Sequence, residues 1–283
     1  MAEPARHAAV LGSPVAHSLS PVLHNAAYRA LGLSGWRYQA VECDESGLAA
    51  WLGSRDASWA GASLTMPLKR AVLPLLDQAE PLVADTGSAN TVVFDGGARL
   101  GYNTDVAGIV TALAEAGVTP GDATVILGAG ATACSALAAL RALGTGAAQA
   151  AVRDPARAGG LLEVAARLGM RVGLIAFKEA GQAGRGQLVI STIPALAADG
   201  YAAMLARRTL VPAAVLDVVY DPWPTRLAAV ARQAGAVVVG GFEMLLHQAS
   251  RQVELMTGSA APVQAMRQVG AAELERRAAA GPA

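Results

Sequence analysis

The sequence predicts an α/β protein of two domains. Three observations carry this expectation. The chain has 283 residues, more than one average domain. Short apolar runs alternate with alanine-rich stretches of helical pattern almost throughout. Near the middle, a Gly-x-Gly turn is lodged between one such run and one such stretch. Strand, helix, strand repeated in this way reads as a mainly parallel sheet with helical connections.

Taken in order, strands are expected at residues 8–11, 37–41, 61–65 and 91–94, where β-branched and small apolar residues cluster. The helices that follow open at Pro21, Glu45, Pro67 and Asp105. A proline fits the first turn because its missing N–H is unpaired there in any case. The second series has strands at 124–127, 148–152, 172–175, 188–191, 214–218 and 236–239. Its helices open near Ala131, Pro155, Ala198 and Pro224. Two helices, from Gly241 and Ala261, close the chain. The tail from Glu273, alanine-rich and charged, is expected to fray. The series divide near Asp105–Gly117 and again near Gly240-Gly241.

Bulk composition excludes several classes. Apolar residues make up 53% and mean hydropathy is +0.38, enough for a large core. Basic and acidic residues balance at 22 each, with pI ≈ 6.9, which argues against a nucleic-acid footprint. Cys43 and Cys134 are too few for a disulfide framework or a cysteine metal cluster. The start lacks the cationic and apolar regions of a targeting segment, and no run suits a membrane span. The expectation is a cytoplasmic protein acting on a small molecule.

Lysine is scarce: of the 22 basic residues only Lys69 and Lys178 are not arginine. Lysine is a compact ammonium that can release a proton near neutral pH; arginine cannot. Lys69 lies in Gly61-Ala-Ser-Leu-Thr-Met-Pro-Leu-Lys69. The three asparagines are equally concentrated, in His17-Ser-Leu-Ser-Pro-Val-Leu-His-Asn25, Ser88-Ala-Asn-Thr91 and Gly101-Tyr-Asn-Thr-Asp105. Together these segments describe a polar substrate site with one titrating amine. Ser18 and Ser20, two residues apart before a helix, suit an anion such as a carboxylate; Ser20 alone also suits an N-cap. His17 and His24 have no third ligand at metal-binding spacing.

Thr124-Val-Ile-Leu-Gly128-Ala-Gly130-Ala-Thr-Ala133 places Gly-x-Gly-x-x-Ala after a strand and before a helix, the context a dinucleotide fingerprint requires. Gly128 permits the tight turn, Gly130 a close approach to pyrophosphate, and Ala133 close helix packing. A tight turn without a ligand is the plainer alternative. The next strand ends Val152-Arg153-Asp154-Pro-Ala-Arg157. Arg153 and Arg157 suit the 2′-phosphate of NADP, whereas Asp154 suits NAD or caps the helix at Pro155.

His-Ser-x-Ser-Pro-x-x-His-Asn, Gly-Ala-Ser-Leu-Thr-x-Pro-x-Lys, Ala-Asn-Thr and Gly-Tyr-Asn-Thr-Asp follow one another in the order of the shikimate dehydrogenase family, which the chain resembles. The likeness extends through Asp217-Val-Val-Tyr220-Asp-Pro and Gly241-Phe-Glu-Met244-Leu-Leu-His-Gln248. The resemblance implies a substrate domain of residues 1–106 with returning helices 241–283. It implies a Rossmann-type NADP-binding domain of residues 107–240. Lys69 and Asp105 would form the catalytic pair. Ser18 and Ser20 would hold the substrate carboxylate. Thr65, Asn90 and Gln248 would meet ring hydroxyls or the reacting oxygen, with Tyr220 near the ring. Gly128, Gly130, Ala131, Arg153 and Arg157 would hold NADP, with Gly241 and Met244 by the nicotinamide.

The implied reaction is reversible reduction of 3-dehydroshikimate by NADPH, a step toward chorismate and the aromatic amino acids, by a monomer or homodimer. Asn25 and Asn103 read instead as structural ties. Three departures stand out: Val-Arg-Asp at 152–154 for the family's Asn-Arg-Thr, Ile-Ser-Thr-Ile-Pro at 190–194 for Asn-Ala-Thr, and Met256 for tryptophan. Quinate and aminoshikimate dehydrogenases share the scaffold. A nucleotide- or ligand-binding protein without catalysis, and more remotely a methyltransferase, are the other readings.

Overall fold

The computed structural model describes residues 5–180, 187–207 and 212–280. The chain forms two compact units. One runs through Thr104 and resumes at Leu245; the other runs from Asp105 to Met244.

The first unit contains β1 (Arg6–Gly12), α1 (Ser20–Ala30), β2 (Trp36–Glu42), α2 (Glu45–Gly53), β3 (Trp59–Leu64) and the short α3 (Leu68–Ala71). It continues through β4 (Gln78–Ala79), α4 (Pro81–Thr86), β5 (Thr91–Asp95) and β6 (Ala98–Tyr102). Its six strands lie in the order β2-β1-β3-β5-β6-β4. β1, β2 and β3 are parallel, and β5 is antiparallel to both β3 and β6. Side chains alternate across a strand, and both faces of β1 are buried. Ala9 and Leu11 join Leu64, Leu68 and Val92 on one side; Ala8 and Val10 join Tyr28, Tyr38 and Met256 on the other. A strand covered on both faces must be apolar without alternation, which is why β1 was legible as an apolar run. Met256 fills space beside Gly61: a Cβ there would sit 3.0 Å from the Met256 Cε.

The second unit contains α5 (Asp105–Glu115), β7 (Val125–Leu127), α6 (Ala131–Ala142), β8 (Ala147–Val152), α7 (Gly159–Arg167) and β9 (Arg171–Ala176). It goes on through β10 (Leu188–Ser191), α8 (Ala195–Ala206), β11 (Ala214–Asp217), α9 (Arg226–Gln233) and β12 (Val237–Gly240). Its described sheet is wholly parallel, in the order β12-β11-β10-β7-β8-β9. Val125, Leu127, Val189 and Val215 pack against Tyr201, Leu205 and Leu227. Strand order reverses between β7 and β10, the switch point where such sheets open a crevice at their carboxyl ends. Two last helices, α10 (Gly241–Thr257) and α11 (Val263–Ala280), complete the described chain.

Several expectations are corrected. The helix expected from Pro155 is a 3-10 turn, Pro155–Ala158, and α7 begins only at Gly159. β4, α4 and β6 were not anticipated. The tail does not fray at Glu273: α11 stays helical to Ala280, and Glu273 accepts bonds from Arg276 and Arg277. Among the described residues no helix is long and apolar enough to cross a membrane.

Candidate active site

In the first unit, the loops after β1, β2 and β3 leave from one end of the sheet because those strands are parallel. The antiparallel β5 starts at that same end, which brings Asn90 and Thr91 there as well. Ser13 N–H donates to the Met66 carbonyl at 3.0 Å, and Thr65 N–H to that of Leu11 at 2.9 Å. The loop bearing Ser18 and Ser20 is thus tied to the segment bearing Thr65. Ser18 Oγ accepts the Ser20 N–H at 3.2 Å. Ser20 is the first residue of α1 and its hydroxyl makes no capping bond, so the capping role open to it in the sequence is not the one it plays. Arg277 on α11 donates to the His17 carbonyl at 2.6 Å, which holds the same loop from behind.

Lys69 sits in α3 with Leu68 beside it in the core, and its carbonyl accepts Ala89 N–H at 2.9 Å. That bond ties the Lys69 turn to the residue before Asn90. Asn90 is buried. Its Oδ1 accepts the Thr104 N–H at 2.8 Å, and its Nδ2 donates to Gln248 Oε1 at 2.8 Å. Thr104 is the residue preceding Asp105. Asn103 donates from Nδ2 to Thr86 Oγ1 and the Ser88 carbonyl, and its N–H donates to Glu80. Asn25 donates to the Tyr38 carbonyl and accepts Tyr38 N–H, clamping α1 to β2. Both asparagines are structural ties.

His24 is fully buried on α1. Its ring stacks on Tyr38 with centroids 3.9 Å apart, and Nδ1 lies 2.9 Å from the Ser20 carbonyl, so Nδ1 carries the proton. Burial lowers its pKa to about 4, against the smaller opposing effect of the Ser20 carbonyl. His24 is therefore a neutral packing residue.

In the second unit the remaining residues gather along the carboxyl edge of the parallel sheet. Gly128 follows β7, Arg153 follows β8, Thr192 follows β10, Tyr220 follows β11 and Gly241 follows β12. Gly128 has φ +111°, and a Cβ there would lie 2.7 Å from Thr192 Oγ1 and 2.9 Å from Ile193 Cγ2. Only glycine fits without strain. Thr192 Oγ1 donates to the Leu127 carbonyl, so the departure at 190–194 closes the floor of the glycine turn. Gly130 is exposed, has open space where a Cβ would stand, and precedes Ala131 at an α6 N-terminus that no side chain caps. The Gly128 N–H donates to the Ala151 carbonyl at 3.0 Å, which leaves the α6 N-terminus without a side-chain cap as the part of the turn that suits a pyrophosphate, so the residues present fit a dinucleotide.

Asp154 Oδ1 accepts Ala156 N–H at 3.0 Å, capping the short turn, while Arg153 and Arg157 are exposed. Asp217 is buried at the end of β11. It accepts Thr225 Oγ1 and Val219 N–H, and burial pushes its pKa up. It thereby holds the loop that carries Tyr220. Gly241 touches the Val218 carbonyl, which a Cβ would overlap at 2.2 Å, and Met244 lies buried one turn on. The sequence reading missed Ser63, Thr91, Thr104 and Gln252. The i, i+4 spacing of Gln248 and Gln252 on one helix face was the available signal for the last.

The profile of the shikimate dehydrogenase substrate binding domain matches residues 10–92, and that of the shikimate 5′-dehydrogenase C-terminal domain matches residues 241–269. The shikimate dehydrogenase (NADP(+)) of Moorella thermoacetica is 37% identical over 275 residues, covering 92% of this chain and 91% of that protein. The crystal structure of Mycobacterium tuberculosis shikimate dehydrogenase superposes with a TM-score of 0.85 at 41% identity, over 95% of this chain and 99% of that one. The Thermus thermophilus shikimate 5-dehydrogenase, solved with NADP(H) and shikimate, gives 0.80 at 30% identity, over 94% and 99%.

Proposed function

Because the chain belongs to the shikimate dehydrogenase family, we propose that it catalyses the reversible, NADPH-dependent reduction of 3-dehydroshikimate to shikimate. The observation that carries this reading is the bond between the Asn90 and Gln248 carboxamides. It joins residues 158 apart in sequence, beside the backbone that leads into Asp105. A polyhydroxylated ring needs such fixed amide groups to be told from other rings.

Residues 1–106 with helices 241–283 form the substrate domain in this reading, and residues 107–240 the NADP domain. NADPH, when bound, supplies the hydride that reaches the carbonyl carbon. The Lys69 ammonium polarises the carbonyl oxygen and delivers the proton that completes the new hydroxyl. The Asp105 carboxylate orients Lys69 and accepts from the hydroxyl, and each partner favours the other's charged form. In the oxidative direction Lys69 takes that proton back. Ser18 and Ser20 hold the ring carboxylate, with Thr65, Asn90, Gln248 and Tyr220 around the ring. Gly128, Gly130 and Ala131 hold the pyrophosphate, and Gly241 and Met244 border the nicotinamide. Arg153 and Arg157 take the 2′-phosphate; the Asp154 bond to Ala156 turns one of its oxygens to capping, which favours NADP over NAD.

The enzyme so described is cytoplasmic and works as a monomer or homodimer. The test is Lys69→Ala. Turnover of shikimate should fall by roughly 10²–10⁴-fold, the range of general acid–base catalysis, with the NADP dissociation constant unchanged. Near-normal turnover in that variant removes Lys69 from the mechanism.

A further inference from the structure

A buried line of polar side chains runs from Asn90 back into the core of the first unit. Tyr38 OH donates to Ser63 Oγ, and Ser63 Oγ donates to Gln252 Oε1 at 2.8 Å. Gln252 Nε2 donates to Thr91 Oγ1 at 2.9 Å, and Thr91 Oγ1 to Asn90 Oδ1 at 2.9 Å. Gln252, Thr91 and Asn90 are at most 2% exposed. Gln252 therefore binds β3 and β5 at once, one helical turn beyond Gln248 on the same face of α10.

The direction of this line is set by a group that can only donate. The backbone N–H of Thr104 points at Asn90 Oδ1, so the Asn90 NH2 must face Gln248 Oε1. The NH2 of Gln248 is then turned away from Asn90, as a donor. Thr91 uses its proton on Asn90, so it accepts from Gln252, and the Gln252 oxygen is left to accept from Ser63. Every member agrees with its neighbours on which side donates. A buried line of this kind holds its carboxamides in one orientation because any flip leaves two buried groups facing like partners.

We propose that Gln252 is a positioning residue for substrate recognition. It locks the second half of α10 to β3 and β5, so that Asn90 and Gln248 stand in register and Gln248 offers its NH2 to an acceptor oxygen of the ring. This rests on the substrate reading above. Gln248 and Asn90 touch substrate there; Gln252 acts through them.

The experiment compares wild type, Gln252→Leu and Gln252→Glu. Gln252→Leu removes both bonds at similar volume. The KM for shikimate should rise about 10-fold, the worth of roughly one net hydrogen bond, with kcat within about 3-fold and the NADP dissociation constant unchanged. In Gln252→Glu the buried carboxyl stays protonated, with one oxygen accepting and one hydroxyl donating. That variant should return KM to within about 3-fold of wild type. Unchanged KM in Gln252→Leu, or a parallel weakening of NADP binding, overturns the proposal. If wild type does not turn over shikimate, the substrate reading fails by itself. The positioning role is then decided by hydrogen exchange of the Asn90 side-chain amide. Exchange at least about tenfold faster in Gln252→Leu supports it, and equal exchange refutes it.

Discussion

Lowering the pH from neutrality should destabilise the first unit, and His24 is the reason. The ring is fully buried, stacked on Tyr38 and edge-on to Tyr28, and burial lowers its pKa from 6.5 to about 4. A group that binds its proton less readily folded than unfolded contributes stability above its unfolded pKa and loses it as pH falls. The contribution is thus complete above about pH 6.5 and declines as pH falls toward about 4. A shift of about 2.5 units at ~1.4 kcal/mol per unit makes the loss about 3 kcal/mol over that window. The ion-paired carboxylates of Asp77 and Glu273 are held at about 2, chiefly by Arg99 and by Arg276 with Arg277. Their losses begin as pH falls through the unfolded values of 3.8 and 4.5 and run down to about 2, so most of the His24 loss comes first.

The assay is urea unfolding at a series of pH values from 7.5 to 4.5, followed by tryptophan fluorescence. Trp36, Trp51 and Trp59 all lie in the first unit, and Trp223 in the second. Wild type should lose stability with a slope approaching ~1.4 kcal/mol per pH unit below pH 6. His24→Phe keeps the ring stack but has no proton to bind, and should be flat there. Equal slopes in both proteins would show that His24 is not the group responsible.

Two further outcomes concern the second unit. Gly128→Ala forces a Cβ into a φ of +111° and against Thr192 Oγ1. It should cost about 1–3 kcal/mol of stability in thermal unfolding and weaken NADP binding at least about tenfold by titration calorimetry. Replacing Arg153 and Arg157 by alanine removes both exposed cations beside the capped turn. NADP affinity should fall by about 10–100-fold, the scale of charge-assisted bonds, with NAD affinity changed less than about 3-fold.

Both sheets were legible because their strands are short apolar runs flanked by turn residues, and β1 is the clearest case. β6 escaped because Ala-Arg-Leu-Gly-Tyr at 98–102 is a short half-buried strand, whose apolar residues alternate with Arg99 and Gly101 instead of forming a continuous run. The Asp95-Gly96-Gly97 turn, with both glycines at positive φ, was the signal for its hairpin. The tail misled because composition does not show that Arg277 will find the His17 carbonyl, 260 residues away. Of the proposed site, Lys69 and Asn90 drew notice because lysine and asparagine are scarce here, but rarity also picked out Lys178, Asn25 and Asn103, which the proposed reaction does not use. The residues that hold the site in place did not stand out. Ser63, Thr91 and Gln252 are common types, and their roles arise only when β3, β5 and α10 meet. The roles of Asn25 and Asn103 were nearer the surface of the sequence, because a small amide between strand and helix is commonly a tie.

Nicotinamide absorbance decides whether this chain is a shikimate dehydrogenase: purified protein and shikimate, with NADP and NAD in parallel and quinate as the second substrate. NADPH should form rapidly with shikimate and NADP, and reduction should be much slower in every other combination. Turnover chiefly with quinate or with NAD, or nucleotide binding without any turnover, would contradict the proposed function.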